Sequence, residues 1–500
     1  MDYVKKYDEK DPKSIEKYAK KLIGHTFKEV LLWNADKTSE KKMSYGDSAR
    51  KGGLGNLLEE KYFGYDANST SEADFQKAGV ELKVSPYEIK RNGELKAGER
   101  LVLGMISYEK PIEETLLESH IWEKCNLLLL IYYLREKEVK DNLQYRIDFV
   151  KLFTPSEEDL EIMKNDFKII SDKIRSGKAH ELSESDTMYL GACTKGATAA
   201  KSLATQFYNK DVKAKKRAFC FKNSYMTYVL NNYLVPDKTT YGETIVSSDE
   251  LKHKSFAEIL QDKLSKYVGM YEDDIAHEIN VTMNKRNKSY EATLIYNMLG
   301  VKNNRVEEFE KAGILVKVLK YRKQKSDNQQ FRLEDINFIE LNNEKMDDEI
   351  IDEEGNPIGW EYSALYNMLS NRKYLFAIFW EDERGSVFKG CQLWGMPDND
   401  IEIVRGVWTR TKNIIKSGVE FTFNKRVENN LPGIADNGIF HIRPHAQRAY
   451  YEFLDGTKVG NGSVSDSDLL PDGTRMTKQA YWLNRDYIDK QIVSNLRKEY

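Results

Sequence analysis

The chain has 500 residues, 77 Lys+Arg against 80 Asp+Glu, a formal net charge of −3 and 40% hydrophobic residues. That length favours two or three domains, and the apolar share is enough to build cores, which excludes a wholly disordered chain. Ten prolines and 30 glycines argue against collagen-like or low-complexity architecture, and the near-zero balance gives no global reason to expect a nucleic-acid partner.

The first residues, Met1-Asp2-Tyr3-Val4-Lys5-Lys6, are charged and carry no apolar stretch, so no signal peptide is expected. Ser14-Ile15-Glu16 opens an amphipathic segment that closes at Gly24, and Leu57–Gly64 (LLEEKYFG) forms a second short helical signal. Within Val80-Glu81-Leu82-Lys83-Val84 apolar and charged residues alternate, which predicts a strand with Val80, Leu82 and Val84 on the core face and Glu81 with Lys83 on the other. The longest greasy run, Leu127–Leu134, falls far short of the roughly 20 residues a membrane span needs. Cys125, Cys193, Cys220 and Cys391 are too scattered for a disulfide framework or a zinc knuckle, so reduced thiols in a soluble cytoplasmic protein are expected. Basic residues crowd 210–222, 285–288 and 317–325, and acidic ones crowd 344–354, so polarity is local rather than global. Val235–Glu250 loses its apolar periodicity and gains turn residues, the pattern of a linker.

An internal repeat organises the chain. Glu72–Val84 reads EADFQKAGVELKV and Val306–Val318 reads VEEFEKAGILVKV, which aligns Asp74 with Glu308, Glu81 with Leu315 and Lys83 with Lys317. Upstream, Ser255–Glu258 opens a segment ending at Gly269 as Ser14–Glu16 does before Gly24, and Leu294–Gly300 matches Leu57–Gly64. Downstream, Tyr374–Trp380 (YLFAIFW) matches Leu127–Tyr133 (LLLLIYY). The shared order of these pieces predicts two copies of one α/β domain.

Asp74 stands seven residues before Glu81, beyond Ala78-Gly79, which can turn the chain back. Two carboxylates and a lysine could therefore converge at one strand end. Metal-assisted phosphodiester hydrolysis needs such a set: hard oxygen ligands for Mg²⁺ from Asp74 and Glu81, and Lys83 to orient the attacking water or offset charge in the transition state. Glu-x-Lys on its own is common in so charged a chain, as Glu94-Leu95-Lys96 shows, but that second instance lies between Gly93 and Gly98 with no aspartate behind it.

The longer stretch Lys51–Pro86, KGGLGNLLEEKYFGYDANSTSEADFQKAGVELKVSP, carries Lys-Gly, Gly-x-Leu-Leu-Glu, Asp-Phe and Gly-Val-Glu-Leu-Lys in order. It resembles the catalytic region of MutH, the mismatch-repair nicking endonuclease, and of the related Sau-type restriction endonucleases. Ser119-His120 and Lys124 continue the match. The resemblance implies that Asp74 and Glu81 are metal ligands and Lys83 the catalytic lysine, that Glu59 completes the site, and that Lys124 is a further active-site lysine. It also implies DNA contacts from Lys51, Lys195 and Tyr225, although Cys193 stands where the family often has an arginine. His120 reads more simply as a structural histidine.

In the second copy Leu315 replaces Glu81, and Glu59 falls at or near Ile295, so that copy is expected to be catalytically dead. Its Phe440-His441-Ile442-Arg443-Pro444-His445 resembles the MutH recognition loop, which implies DNA reading through Arg443 and His445. The resemblance to the Sau-type enzymes spans almost the whole chain. It implies two MutH-like restriction-endonuclease-fold domains, each a mixed sheet flanked by helices: a catalytic domain over 1–235, a linker over 236–252, and a degenerate DNA-binding effector domain over 253–500. The expected activity is Mg²⁺-dependent type II cleavage of double-stranded DNA at 5′-GATC-3′, ahead of the G, leaving 5′-phosphate overhangs. The expected protein is a monomer that dimerises on its palindromic site, with a cognate methyltransferase in the same restriction-modification system and no membrane partner. A MutH-like repair nickase and a non-catalytic DNA-binding regulator are the alternatives. A self-sufficient second DNA-binding copy argues against the first, and the intact Asp74, Glu81 and Lys83 against the second.

Overall fold

Apolar periodicity in this chain switches repeatedly between helix and strand spacing, and the result is a mixed α/β structure with several sheets. The computed structural model describes residues 6–33, 53–65, 72–90, 92–136, 139, 141–195, 203–235, 242–322, 331–346, 349, 359–423 and 426–494. The chain divides into two compact units, the first reaching to Ile259 and including Val301–Ile314, the second taking in Leu260–Gly300 and most of the chain from Leu315 onward.

The first unit opens with α1 (Pro12–Ala19), capped by the Asp11 carboxylate on the Lys13 N–H, and α2 (Phe27–Trp33). Next, α3 (Gly53–Leu57) runs directly into a wider π-helical turn over Leu58–Phe63 that stops at Gly64 in the left-handed region. Strands β1 (Glu81–Ile89) and β2 (Leu95–Ala97) pair antiparallel, and β3 (Leu101–Met105) leads to α4 (His120–Cys125), capped by Ser119. β4 (Leu128–Leu134) lies parallel to β1, with Glu81 opposite Leu128 and Lys83 opposite Leu130, and β5 (Arg146–Phe153) pairs antiparallel with β4. The sheet order is β2-β1-β4-β5. Val80 and Leu82 join Leu129, Ile131, Ile147 and Val150 in one core with Leu57, Leu58 and Phe63. As the alternation predicts, Val80 and Leu82 bury one face of the strand and Val84 packs at its edge.

The 19-residue α5 (Glu157–Arg175) follows, with three acids in its first turn complementing the helix dipole. Its Asp166 accepts the N–H groups of Met188, Tyr189 and Leu190 at 2.7–2.9 Å, fixing the start of β6 (Leu190–Thr194). A ribbon of β7 (Leu203–Ala204) and β8 (Ala214–Lys215) precedes β9 (Arg217–Phe221), which sits between β3 and β6 in a second, three-stranded sheet. α6 (Asn223–Val229) and α7 (Ser248–His253) come next.

α8 (Phe256–Ser265), α9 (Glu272–Glu278), α10 (Tyr290–Met298) and α11 (Glu307–Ala312) lead into β10 (Ile314–Arg322). α11 belongs to the first unit. There Lys311 Nζ lies 2.6 Å from Asp159 Oδ1 and 2.8 Å from Glu307 Oε1, with both Lys311 and Asp159 buried.

In the second unit β11 (Phe331–Asp335), α12 (Phe338–Asn343), α13 (Gly359–Tyr362) and α14 (Ala364–Asn371) lead to β12 (Lys373–Glu381) and β13 (Ser386–Trp394), in a sheet of order β10-β12-β13. The 20-residue α15 (Asp398–Ser417), the hairpin of β14 (Phe421–Phe423) and β15 (Val427–Asn429), and β16 (Phe440–Pro444) follow. A four-stranded insertion, β17 (Tyr450–Glu452), β18 (Lys458–Gly460), β19 (Ser467–Leu469) and β20 (Arg475–Thr477), stands before β21 (Gln479–Leu483) and α16 (Arg485–Ile488). β21 lies between β11 and β16, as β9 lies between β3 and β6. Trp360, Trp394, Trp408, Phe376, Phe440 and Leu483 centre this unit's core. Among the described residues no helix is long and apolar enough to cross a membrane, and all four cysteines are free and buried.

Candidate active site

The site is built at the N-terminal end of β1 by a tight reversal. The Phe75 N–H donates to the Val80 carbonyl at 2.9 Å, the Ala78 N–H donates to the Phe75 carbonyl at 3.0 Å, and Gly79 takes φ +64°, a conformation that costs an L side chain about 1–2 kcal/mol. The reversal lays Asp74 against the strand, where its Oδ2 accepts the Leu82 N–H at 2.8 Å. Glu81 is 3% exposed, and Lys83, on the same face of the strand, brings Nζ to 2.7 Å from Glu81 Oε1.

A second lysine arrives from α4. That helix docks on β3 at Gly104, where a Cβ would stand 2.8 Å from Ile121 Cδ1, so a larger residue would make the end of the Ile121 side chain shift. Lys124 then reaches 3.7 Å from the same Glu81 Oε1. His120, one turn earlier on α4, is engaged with Glu113 at 2.8 Å. Glu59 lies in the π-helical turn, whose carbonyl accepts both the Gly64 and Tyr65 N–H groups at 2.9 and 3.1 Å. Turns of this kind are frequent at functional sites because the extra residue re-aims the side chains around it.

Electrostatics ties these groups into one cluster. Burial pushes the Glu59 carboxyl up to about 7, with the charges of Asp74 and Glu81 adding to it and Lys83 opposing. Asp74 is pushed up to about 6 by burial and by Glu81, against the Leu82 N–H and the charges of Lys83 and Lys124. Negative charge is therefore in excess, and Glu81 Oε2 is buried with no hydrogen-bond partner among the described residues. Among the described residues no three His, Cys, Asp or Glu side chains form a ready-made metal cage. A small hard divalent cation does not need one: it is held by one or two carboxylates and completes its shell with water and substrate phosphate. Asp74 and Glu81 supply such a pair, and an added positive charge would relieve their mutual repulsion.

The structure thus brings together Glu59, Asp74, Glu81, Lys83 and Lys124. It also adds Tyr65, which the sequence reading passed over. Its ring packs 5.4 Å from Phe75, its hydroxyl is buried and unpartnered among the described residues, and burial with the charges of Asp74 and Glu59 pushes its pKa up. A tyrosine five residues after Leu-Glu-Glu carries no sequence signal of its own, because only the π-helical turn aims it inward.

The expected DNA-contacting residues fare unevenly. Lys51 lies outside the described residues. Lys195 closes β6, its N–H bonded to the Lys216 carbonyl at 2.9 Å. Tyr225 is a correction: it is 0% exposed, stacked 5.0 Å from Tyr189, with its hydroxyl donating to Asp159 Oδ2 at 2.9 Å, so it offers no atom to a ligand in this conformation. The physical reason is that α6 buries its apolar face, and the phenol there completes the polar cluster of Asp159 and Lys311. Arg443 is exposed at the end of β16, its guanidinium 4.9 Å from the Trp482 ring centre. His445 is turned inward, with Nε2 3.0 Å from Asp335 Oδ1 and its pKa pulled down by burial.

Paired acids and two lysines gathered at the start of a buried strand define a hydrolase suited to phosphodiester bonds. Residues 63–166 match the family described as DNA mismatch repair enzyme MutH. Over 504 residues the chain is 34% identical to the type II restriction enzyme Sau3AI of Staphylococcus aureus, covering 96% of this chain and 98% of that protein. The chain belongs to the Sau3AI-like, MutH-related family of type II restriction enzymes, which are site-specific deoxyribonucleases.

Proposed function

We propose that the chain cleaves double-stranded DNA at 5′-GATC-3′, ahead of the G, by Mg²⁺-dependent hydrolysis in its first copy, leaving 5′-phosphate overhangs. The observation that carries this reading is the convergence of Asp74, Glu81, Lys83 and Lys124 on one strand end. The GATC site is carried by the Lys51–Pro86 resemblance. Asp74 and Glu81 would hold the Mg²⁺, which when bound would supply neutralising charge at the scissile phosphate. Lys83, anchored by Glu81, positions the attacking water and offsets charge that builds on the phosphate oxygens. Lys124 reinforces that field from the helix side. Glu59, held near neutrality by burial and its acidic neighbours, is placed to take up a proton at its carboxylate.

The second copy is a non-cleaving DNA-binding effector that reads through Arg443. One active site per chain cuts one strand, so double-strand cleavage takes two chains related by the two-fold axis of the site. A cognate methyltransferase protects the host sites.

The test is incubation of the purified chain with a GATC-containing plasmid and Mg²⁺, with no added protein, followed by end mapping. Linear products with ends ahead of each G are expected. Intact plasmid would sink the restriction reading, and accumulation of nicked circles alone would favour a repair nickase.

A further inference from the structure

The first unit carries a basic loop with exposed rings that takes no part in the site described above. Between β6 and β9 the ribbon of β7 and β8 closes through residues 205–213, and 203–216 (LATQFYNKDVKAKK) holds four lysines against one aspartate. Lys210 and Lys213 are exposed and make no ion pair among the described residues. Phe207 and Tyr208 stand 45% and 37% exposed, their ring centres 5.1 Å apart and edge to face. One exposed ring would call for no explanation, but two in contact, on the same short loop as unpaired cations, mark a surface built for a partner.

The loop is held in place from several sides. Gln206, 2% exposed, accepts the Ala179 N–H at 2.9 Å through Oε1 and donates from Nε2 to the Val212 carbonyl at 2.6 Å. The Phe207 N–H donates to the Tyr108 carbonyl at 2.7 Å, and Asn209 Nδ2 to the Gly177 carbonyl at 3.1 Å. With the backbone anchored, a partner that meets the rings and lysines orders little that is not already fixed. The root of the ribbon is tied to the strands that lead to the site. The Lys216 carbonyl accepts the N–H of Lys195, the position at the end of β6 that the MutH resemblance implies for DNA contact, at 2.9 Å. One residue on, the Arg217 carbonyl accepts the Ile106 N–H at 2.8 Å, just past β3, the strand on which α4 and its Lys124 dock. Lysine ammonium groups on flexible stems are point charges that suit backbone phosphates without reading bases, and the rings suit the apolar faces of the sugars between them.

We infer that the 205–213 loop, through Phe207, Tyr208, Lys210 and Lys213, is a sequence-independent clamp on the sugar-phosphate backbone of the duplex engaged by the first copy. It adds affinity and leaves the choice of site to other residues. This rests on reading the first copy as the DNA-cleaving module.

The test measures binding by the full chain in EDTA, by fluorescence anisotropy across a salt series, to a GATC duplex and to a duplex of equal length lacking GATC. The series is repeated in the Arg443→Ala background, so that duplex held by the second copy does not mask the effect. Lys210→Gln with Lys213→Gln should weaken both duplexes by the same factor, about tenfold, and lower the slope of log affinity against log salt by about 1.8, or about 0.9 for each lysine. Lys210→Arg with Lys213→Arg keeps the charges and should keep wild-type affinity and slope. Phe207→Ser with Tyr208→Ser should weaken both duplexes with the slope unchanged, since no charge is removed.

Wild-type affinity and slope in the lysine-to-glutamine pair would overturn the clamp. If Glu81→Ala still abolishes cleavage in that case, the cleaving module stands; if it does not, both readings fail. Weaker binding with an unchanged slope in that pair would mean that the lysines hold the shape of the loop rather than phosphates, which also overturns the clamp. Unchanged duplex binding, with a wild-type dimer that falls to a monomer in the Phe207→Ser, Tyr208→Ser variant by sedimentation, would make the loop a contact between copies of the chain instead.

Discussion

β1 and β10 are entered in the same way. In each, a glycine in the left-handed region (Gly79, φ +64°; Gly313, φ +67°) releases the chain into a nine-residue strand that carries a lysine on its second turn of alternation. The acid before the glycine has opposite fates. Asp74 accepts the N–H of Leu82 in its own strand and stays beside Glu81, whereas Glu308 accepts the N–H of Ile245 and is buried. Glu81 is buried against two lysines, while its counterpart Leu315 is exposed. The same kind of strand entry therefore leads into a cluster of carboxylates and lysines in one place and not in the other. The backbone turn recurs, and a handful of side chains decides whether acids gather beside it.

The strongest way to break that comparison is Glu81→Ala. It removes one proposed ligand and the anchor of both lysines, and cleavage should fall below detection while duplex binding in EDTA persists. Retained cutting would refute the site. Lys83→Met leaves both acids in place and should lower the cleavage rate constant about 10²–10³-fold, with little change in DNA affinity, measured in single-turnover reactions.

The pH response should separate the two halves of the comparison. Asp74 and Glu59 have folded-state values near 6 and 7, above their ordinary 3.8 and 4.5, so their protonated forms are favoured by folding. The stability they contribute is present in full below the ordinary values and is lost as pH rises through about 6 to 7. Thermal unfolding followed in EDTA should show the first unit weakening between about pH 4 and pH 7, and Mg²⁺ should flatten that decline by favouring the ionised forms. A melting profile indifferent to both pH and Mg²⁺ would contradict the electrostatic account.

The smallest effects belong to the shared turn. Gly79→Ala and Gly313→Ala should each cost about 1–2 kcal/mol by denaturant titration, because each forces a Cβ into the left-handed region. Only Gly79→Ala should also slow cleavage, since it shifts Asp74.

Much of this was legible in the sequence because the signals are local. The alternation Val80 to Val84 announces a strand with two faces, and Ala78-Gly79 announces the reversal that returns Asp74 to it. Other features depended on contacts between distant residues. Tyr225, implied by resemblance to contact DNA, is instead buried by α6 against Asp159, 66 positions before it, and Asp159 in turn holds Lys311, 152 positions further along the chain. The inward turn of His445 depends on Asp335, in another strand. The assignment of α11 to the first unit has no local signature either.

By itself the sequence determined the strand, the turn, and the acids and lysines spaced around them, since each is a matter of residue type at short spacing. Only the tertiary structure decided that Lys124 reaches Glu81 from α4 and that Tyr65 packs on Phe75 with its hydroxyl buried. Charges separated by tens of residues interact only once packing has fixed the distances between them, and the strength of an electrostatic interaction follows distance and burial rather than order along the chain.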